Sequence, residues 1–334
     1  MNGASPLFTC PHCSGVLTRS EHNLSCASCQ KAYPIHDGIP SFVRNADAFY
    51  GEYYRSQRGL DWARGHRAFT NPLLRILQDL RIRISIVGKR QRFFERALSG
   101  KSSLRILDLG CGGGHEFLVR YGAVTGIDLE MAPLVSARIL YAQTAQADIG
   151  ALPFSNDEFD AIVSLDVIGH IPAKNKETLF GEMYRVLKPG GIIIHAIETD
   201  SSNWLYRFAH HDPELFRKSF IEEIGGHFGL EMPRTVLARI ERCGFIPVRI
   251  EKIWGLIWPT EEYIYRFDNG YKAQSRRIRL IVWLCKIINK NILIHAIANV
   301  LLGIPDYLIE KFMPIDHACG ILVQYKKPAR SNNS

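Results

Sequence analysis

The sequence predicts an α/β fold in which helices cover both faces of a mostly parallel sheet of seven strands. Three observations carry that expectation. Short apolar runs alternate with helix-length stretches from residue 104 onward, one strand-to-helix turn is built almost wholly of glycine, and two Cys-x-x-Cys pairs ahead of them mark a separate small module.

The glycine turn is the centre of the pattern. Residues 104–109 (LRILDL) suit a buried strand, with Asp108 near its end. Gly110, Cys111, Gly112, Gly113 and Gly114 follow. A turn so rich in glycine lets the backbone take positive φ and approach a ligand closely. A helix is expected from about residue 115. A second strand over 122–127 ends on Asp128, twenty residues after Asp108. Strand, glycine turn, helix, strand and terminal acid form the first half of a nucleotide-binding unit, with the acid placed for both hydroxyls of a ribose. The glycine spacing, G-x-G-x-G, departs from the G-x-G-x-x-G of dinucleotide sites.

The remaining elements follow in order. A helix is expected over 131–143 and a third strand ending at Asp148. Asp157 to Asp160 (DEFD) precede a fourth strand over 161–165, and 166–170 form the loop after it. A helix over 174–187 leads through Lys188-Pro-Gly-Gly into an apolar fifth strand, 191–197. Residues 233–243 read as a helix ended by Gly244, then come strands over 245–250 and 319–325. Two stretches are too long for ordinary connections, about 198–232 and 254–316. The first is a candidate substrate lid. The expected domains are a module over 1–43, a basic helical cap over 44–103, the main domain over 104–327 and a disordered tail over 328–334.

Four ordered signals together resemble a known family: DLGCGGG at 108–114, Asp128, QADIGALPF at 146–154, and RVLKPGG at 185–191. They are similar to the motifs of class I S-adenosylmethionine (SAM) methyltransferases, in particular the methyltransferase type 11 group, which includes quinone-biosynthesis enzymes. The likeness is close over 104–200. It implies a Rossmann-like sheet and SAM as cofactor. It also implies cofactor contacts from Asp108, Gly110, Cys111, Gly112, Gly114, Asp128, Leu129, Asp148, Ile149 and Asp166, with Asp148 at the adenine amino group.

Cys10, Cys13, Cys26 and Cys29 form two knuckles with twelve residues between them, able to offer four thiolates to one structural zinc ion. A module of this size buries too little core to fold without such a staple. His12, His22 and His36 are expected to be exposed bystanders. The continuation Tyr33-Pro-Ile-His-Asp-Gly-Ile-Pro40 resembles zinc ribbons related to methyltransferase activator subunits, which implies docking on the catalytic domain.

The chain carries 41 Lys and Arg against 33 Asp and Glu, a formal charge of +8. That balance favours an anionic partner, either nucleic acid or a membrane surface. Arginines recur between Arg55 and Arg96, and Pro72 is placed to open a helix there. The run from Arg276 to Leu302 mixes Arg277, Arg279, Lys286, Lys290 and Trp283 with many Ile and Leu. It reads either as a helical hairpin packed on the core or as an interfacial pair at a membrane. No apolar leader is visible near residue 1, so the location expected is cytoplasmic, at the inner membrane face if the hairpin binds lipid.

Methyl transfer needs alignment of donor and acceptor and, for an oxygen or nitrogen acceptor, a base. His170, in the loop after the fourth strand, is the first candidate, with His227 and Glu198 second. His195, inside a strand, reads as structural, and His210 and His211 as surface. The acceptor expected is a small-molecule, lipid-linked or glycan-type compound. One alternative is an rRNA or tRNA methyltransferase gripping phosphates with the ribbon and cap. Another is a non-catalytic SAM-binding scaffold. The chain lacks an Asn-Pro-Pro-aromatic motif, and its apolar carboxy-terminal insertion has little use in RNA binding.

Overall fold

The computed structural model describes residues 8–43, 86–222, 226–253, 260–268 and 275–330. Most of the basic cap with Pro72, the start of the second insertion at 254–259 and the end of the tail lie outside them.

The amino-terminal module is a four-stranded antiparallel sheet of β1 (Leu17–Arg19), β2 (Asn23–Cys26), β3 (Ala32–His36) and β4 (Ile39–Pro40). Helix α1 (Ile86–Leu98) precedes the main sheet. Its Phe93, Phe94 and Leu98 are fully buried in one of the two cores that flank that sheet. The described end of the basic stretch therefore helps to build the main core.

The main sheet contains β5 (Leu104–Leu109), β6 (Gly122–Asp128), β7 (Gln143–Gln146), β8 (Phe159–Leu165), β9 (Leu187–Glu198), β10 (Ile246–Ile253) and β11 (Gly320–Lys326). Their order is β10-β11-β9-β8-β5-β6-β7, and only β11 runs against its neighbours. The α/β class and the seven strands are as read from the sequence. Ile192, Ile193, Ile194, Ala196 and Ile197 of β9 are all buried, because both sheet faces are covered. Helices α2 (Met131–Leu140) and α1 cover one face. Helices α3 (Lys176–Val186) and α6 (Pro233–Arg242), with the ribbon, cover the other. From β5 the chain winds outward to β6 and β7, then returns to lay β8 and β9 on the other side. The order reverses between β5 and β8, the place where sheets of this kind form a crevice at the strands' carboxyl ends.

Two local details differ from ordinary α/β units. The helix expected after the glycine turn is present as a five-residue 3-10 helix, Glu116–Arg120. Seven residues separate Gly114 from Gly122, too few for an α-helix to run back along a strand, and a 3-10 helix covers more length per residue. Lys188-Pro-Gly-Gly lies inside β9 and not ahead of it. The pairing with β8 slips between Phe159 and Ala161, and Gly190, at φ +79°, absorbs the irregularity.

The ribbon closes the sheet's open edge at β7. Ser41 bridges to Gln146 in parallel, the Phe42 amide donates to the Gln146 carbonyl (2.8 Å), and the Thr9 amide donates to the Pro153 carbonyl (2.8 Å). An edge strand left open would invite pairing with other chains.

The two insertions form one helical annex. The first holds α4 (Trp204–His210), α5 (Pro213–Phe216) and a π-helical turn, Arg217–Glu222. The Asn203 side chain caps α4 by accepting from the Leu205 and Tyr206 amides, and Asp212 caps α5. The second insertion holds α7 (Thr260–Phe267), α8 (Arg276–Asn289) and α9 (Ile292–Ile309). Leu205, Tyr206, Phe220, Phe267 and Val282 pack together as a separate core. Among the described residues no helix is long and apolar enough to cross a membrane.

Candidate active site

One side of the site is built by β5, β6 and β7. Asp108 is fully buried, and its Oδ2 accepts from the Tyr141 hydroxyl (2.6 Å). That hydroxyl in turn accepts from the His115 amide (2.6 Å), so Tyr141 ties the strand end to the glycine turn. Burial pushes the Asp108 carboxyl up to about 6, against the pull of His115 and the Tyr141 hydrogen bond. Asp108 Oδ1 is buried without a hydrogen-bond partner among the described residues. An added amino or hydroxyl group would satisfy it.

Gly110 has φ +63°, and a Cβ there would lie 2.6 Å from Val167 Cγ2, so a side chain would drive the β5 and β8 loops apart. At Gly112 (φ +51°) a Cβ would meet nothing within 4 Å, which marks the open side of the turn. The Gly112 amide donates to Asp128 Oδ2 and the Glu130 amide to Oδ1, both at 2.9 Å. Each carboxylate oxygen keeps lone-pair capacity for a ribose hydroxyl. Cys111 is buried with its amide on the Ile127 carbonyl, and the Gly114 amide closes the turn on the Cys111 carbonyl. The Leu129 carbonyl accepts from Gln146 Nε2 (2.9 Å), and Gln146 Oε1 accepts from Ser41 Oγ (2.7 Å), which links the ribbon to the cradle. Asp148 is exposed just past β7, its Oδ1 accepting from the Gly150 amide, with half-buried Ile149 beside it. An orphaned buried acceptor, an open glycine and a carboxylate braced by two amides suit the polar groups of SAM.

The other side is built by the ends of β8 and β9. Asp166 follows β8 at φ +57° and pairs with Arg90 of α1. Burial, then the Glu198 carboxylate, raise its pKa above the ordinary range, while Arg90 lowers it. Glu198 ends β9, and His227 Nε2 lies 3.8 Å from its Oε1. The His170 ring stacks on His227 with centroids 4.3 Å apart and planes at 25°. The segment bearing His227 is pinned twice. The Gly229 amide donates to the Gly169 carbonyl (2.9 Å), where any Cβ would lie 1.8 Å from the Ile171 oxygen. Lys176, fully buried, donates to the Gly229 carbonyl and pairs with Glu231 at 3.1 Å. His170, His227 and Glu198 thus meet at the ends of β8 and β9, and Val167, which lies against Gly110, opens the turn that carries His170.

His195 lies elsewhere, buried within the sheet with Nδ1 2.7 Å from Ser164 Oγ, and burial pushes its pKa down to about 3. His210 sits outside on α4, paired with Asp200 at 2.9 Å. Reading by sequence overlooked Arg90, Tyr141, Lys176 and Glu231, since nothing near them in the chain announces their partners. A lysine at the first turn of an apolar-faced helix was the one signal available for Lys176.

The four ribbon cysteines converge. Cys10 and Cys29 Sγ are 3.6 Å apart, Cys13 and Cys26 Sγ 3.5 Å, and all four lie within 4.8 Å of one another. Tetrahedral zinc with bonds of about 2.3 Å separates its sulfurs by about 3.8 Å, so the donor set fits that ion.

Residues 107–195 match the family model described as a methyltransferase domain. Over these residues the chain is similar to a methyltransferase domain, and its sheet has the strand order described above. Among curated proteins, the chain is 32% identical over 121 residues to a ubiquinone biosynthesis O-methyltransferase of Dechloromonas aromatica, covering 33% of this chain and 50% of that one. It is 36% identical over 106 residues to a methyltransferase of Encephalitozoon cuniculi, covering 31% and 49%. The chain thus spans about half the length of these curated relatives. A solved SAM-dependent methyltransferase from Archaeoglobus fulgidus aligns at 18% identity and a TM-score of 0.43, over 77% of this chain and all of that one.

Proposed function

We propose that this protein transfers a methyl group from SAM to an oxygen or nitrogen of a small-molecule, lipid-linked or glycan-type acceptor. The observation that carries the proposal is the placement of two groups at the ends of neighbouring strands: the Asp108–Gly112–Asp128 cradle after β5 and β6, and the cluster of His170, His227 and Glu198 beside the ends of β8 and β9. Relatives named for O-methylation in ubiquinone biosynthesis favour a hydroxyl as the acceptor.

SAM supplies a methyl group already activated on a sulfonium. The chain's task is to hold donor and acceptor in line and to keep water out. Asp128 and the glycine turn set the donor's position. His227, or His170 stacked on it, takes the acceptor's proton, and Glu198 favours the imidazolium that results. Lys176 and Gly229 keep His227 in place.

The test is transfer of labelled methyl from SAM to acceptors fractionated from cell extract, with Glu198→Gln as the control. A base contribution of about 100-fold in kcat should be lost while SAM affinity holds. Full activity in both Glu198→Gln and His227→Gln would sink the assignment of the base. A folded protein that binds no SAM would sink the whole reading.

The same proposal assigns one structural zinc to the cysteine cluster. Metal analysis of reduced protein should find one zinc per chain. Cys26→Ser should lose it and open residues 8–40 to protease, since the ribbon's own core is small. A metal-free wild type with a protected ribbon would rule the zinc out.

A further inference from the structure

The annex carries a surface that the proposed chemistry does not use. On α8, Leu280, Trp283, Leu284 and Ile287 follow i, i+3, i+4, i+7 spacing, and all four are exposed, Leu280 and Trp283 to 55%. The opposite stripe, Ile278, Val282 and Cys285, is buried in the annex core. Helix α8 is thus apolar on two faces, and only one of them has a partner among the described residues. On α9, Ile294, Ile297, Leu301, Ile304 and Leu308 form a second exposed row, with Leu301 at 63%. Phe312, just beyond α9, is 87% exposed.

The hairpin is firmly placed. Thr260 Oγ1 donates to Asn289 Oδ1 (2.7 Å), and the Thr260 amide donates to Asn299 Oδ1 (3.0 Å). At the far end Lys89 pairs with Glu310, and Lys252 Nζ donates to the Lys311 and Met313 carbonyls. An exposed apolar surface of this extent on a rigid support marks an interaction site.

Charge identifies the occupant. Residues 269–305 contain no Asp or Glu, while Arg276, Arg277, Arg279, Lys286 and Lys290 lie along α8 and its end. Lys286 pairs with Asp268, but Arg276, Arg277, Arg279 and Lys290 have no ion pair with any described residue. Exposed aliphatic rows, a tryptophan and a cationic margin on helices that, among the described residues, are not long and apolar enough to cross are the features of an element lying in a bilayer interface. A second copy of this chain would bring the same unpaired cations to the rim of the contact, where they repel.

We propose that the α8–α9 hairpin seats the protein on an anionic bilayer surface. Its exposed rows enter the headgroup boundary, and its arginines stay at the phosphates. The inference is independent of the acceptor's identity.

The experiment uses the full chain in co-sedimentation with vesicles of phosphatidylcholine alone or mixed with phosphatidylglycerol. Binding is expected to the mixed vesicles only, and to weaken with salt. Each cation at such a surface favours binding about fivefold, so the triple variant Arg276→Glu, Arg277→Glu, Arg279→Glu should bind on the order of a hundredfold less. Trp283→Ser with Leu301→Ser should also lose binding, and both variants should keep wild-type SAM affinity as evidence of folding. Failure of the wild type to bind the mixed vesicles, or equal binding to neutral ones, overturns the proposal. So does a wild-type dimer that Trp283→Ser with Leu301→Ser converts to a monomer, since the face would then join two copies.

Discussion

SAM affinity is expected to fall about a hundredfold or more when Asp128 is replaced by alanine. The carboxylate is held by the Gly112 and Glu130 amides at 2.9 Å, one on each oxygen, so its orientation is set before any ligand arrives. Two hydrogen bonds from ribose hydroxyls to a charged acceptor contribute about 1.5–3 kcal/mol each, which together exceeds a hundredfold in affinity. Alanine also leaves the two amides without their acceptor and loosens the turn. Gly110→Val reaches the same end by another route. It forces a β-branched residue to φ +63° and places a Cβ 2.6 Å from Val167, closing the crevice from inside. Titration calorimetry on both variants, with circular dichroism to confirm folding, checks the expectation. Affinity within threefold of wild type in both folded variants would remove the crevice as the cofactor site.

The second large effect is on stability. Lys176 is fully buried, with Glu231 at 3.1 Å and the Gly229 carbonyl as its partners. Burial lowers its pKa, and Glu231 opposes that shift. Removing one member of such a pair leaves the other charged and poorly solvated, at a cost of about 3–5 kcal/mol. Glu231 also pairs with Arg239 at 2.8 Å, which places Lys176→Met nearer the lower figure. Urea unfolding should therefore show a loss of about 3 kcal/mol for Lys176→Met. The double variant with Glu231→Gln should recover part of that loss, because no lone buried charge remains. The same lysine holds the segment carrying His227, so surviving Lys176→Met protein should turn over slowly even where it is folded. A loss under about 1 kcal/mol would show that the pair is solvated and structurally idle.

Features that depend on neighbours along the chain were legible before any folding. Positive φ at Gly110, Gly112 and Gly114 favours glycine whatever surrounds the turn, so the turn was legible from spacing alone. The apolar run Ile192 to Ile197 needs two covered faces, which predicts a central strand. Paired cysteines in one small module suit a common ion, and the structure brings their sulfurs within 4.8 Å of one another. Contacts between residues far apart in the chain emerged from the folded arrangement. Arg90 meets Asp166, Lys176 meets Glu231, and Ser41 reaches Leu129 through Gln146. None of these pairs leaves a periodic trace, since each needs one side chain at one point in space. The same holds for the two long insertions. Each is shapeless when read alone, yet Phe220 and Val282 share a core, so each insertion buries apolar residues of the other. The seat of Trp283 is the last such case. Helix α8 has apolar residues on two faces, and hydrophobic spacing alone does not distinguish the face that enters the core from the face left at the surface.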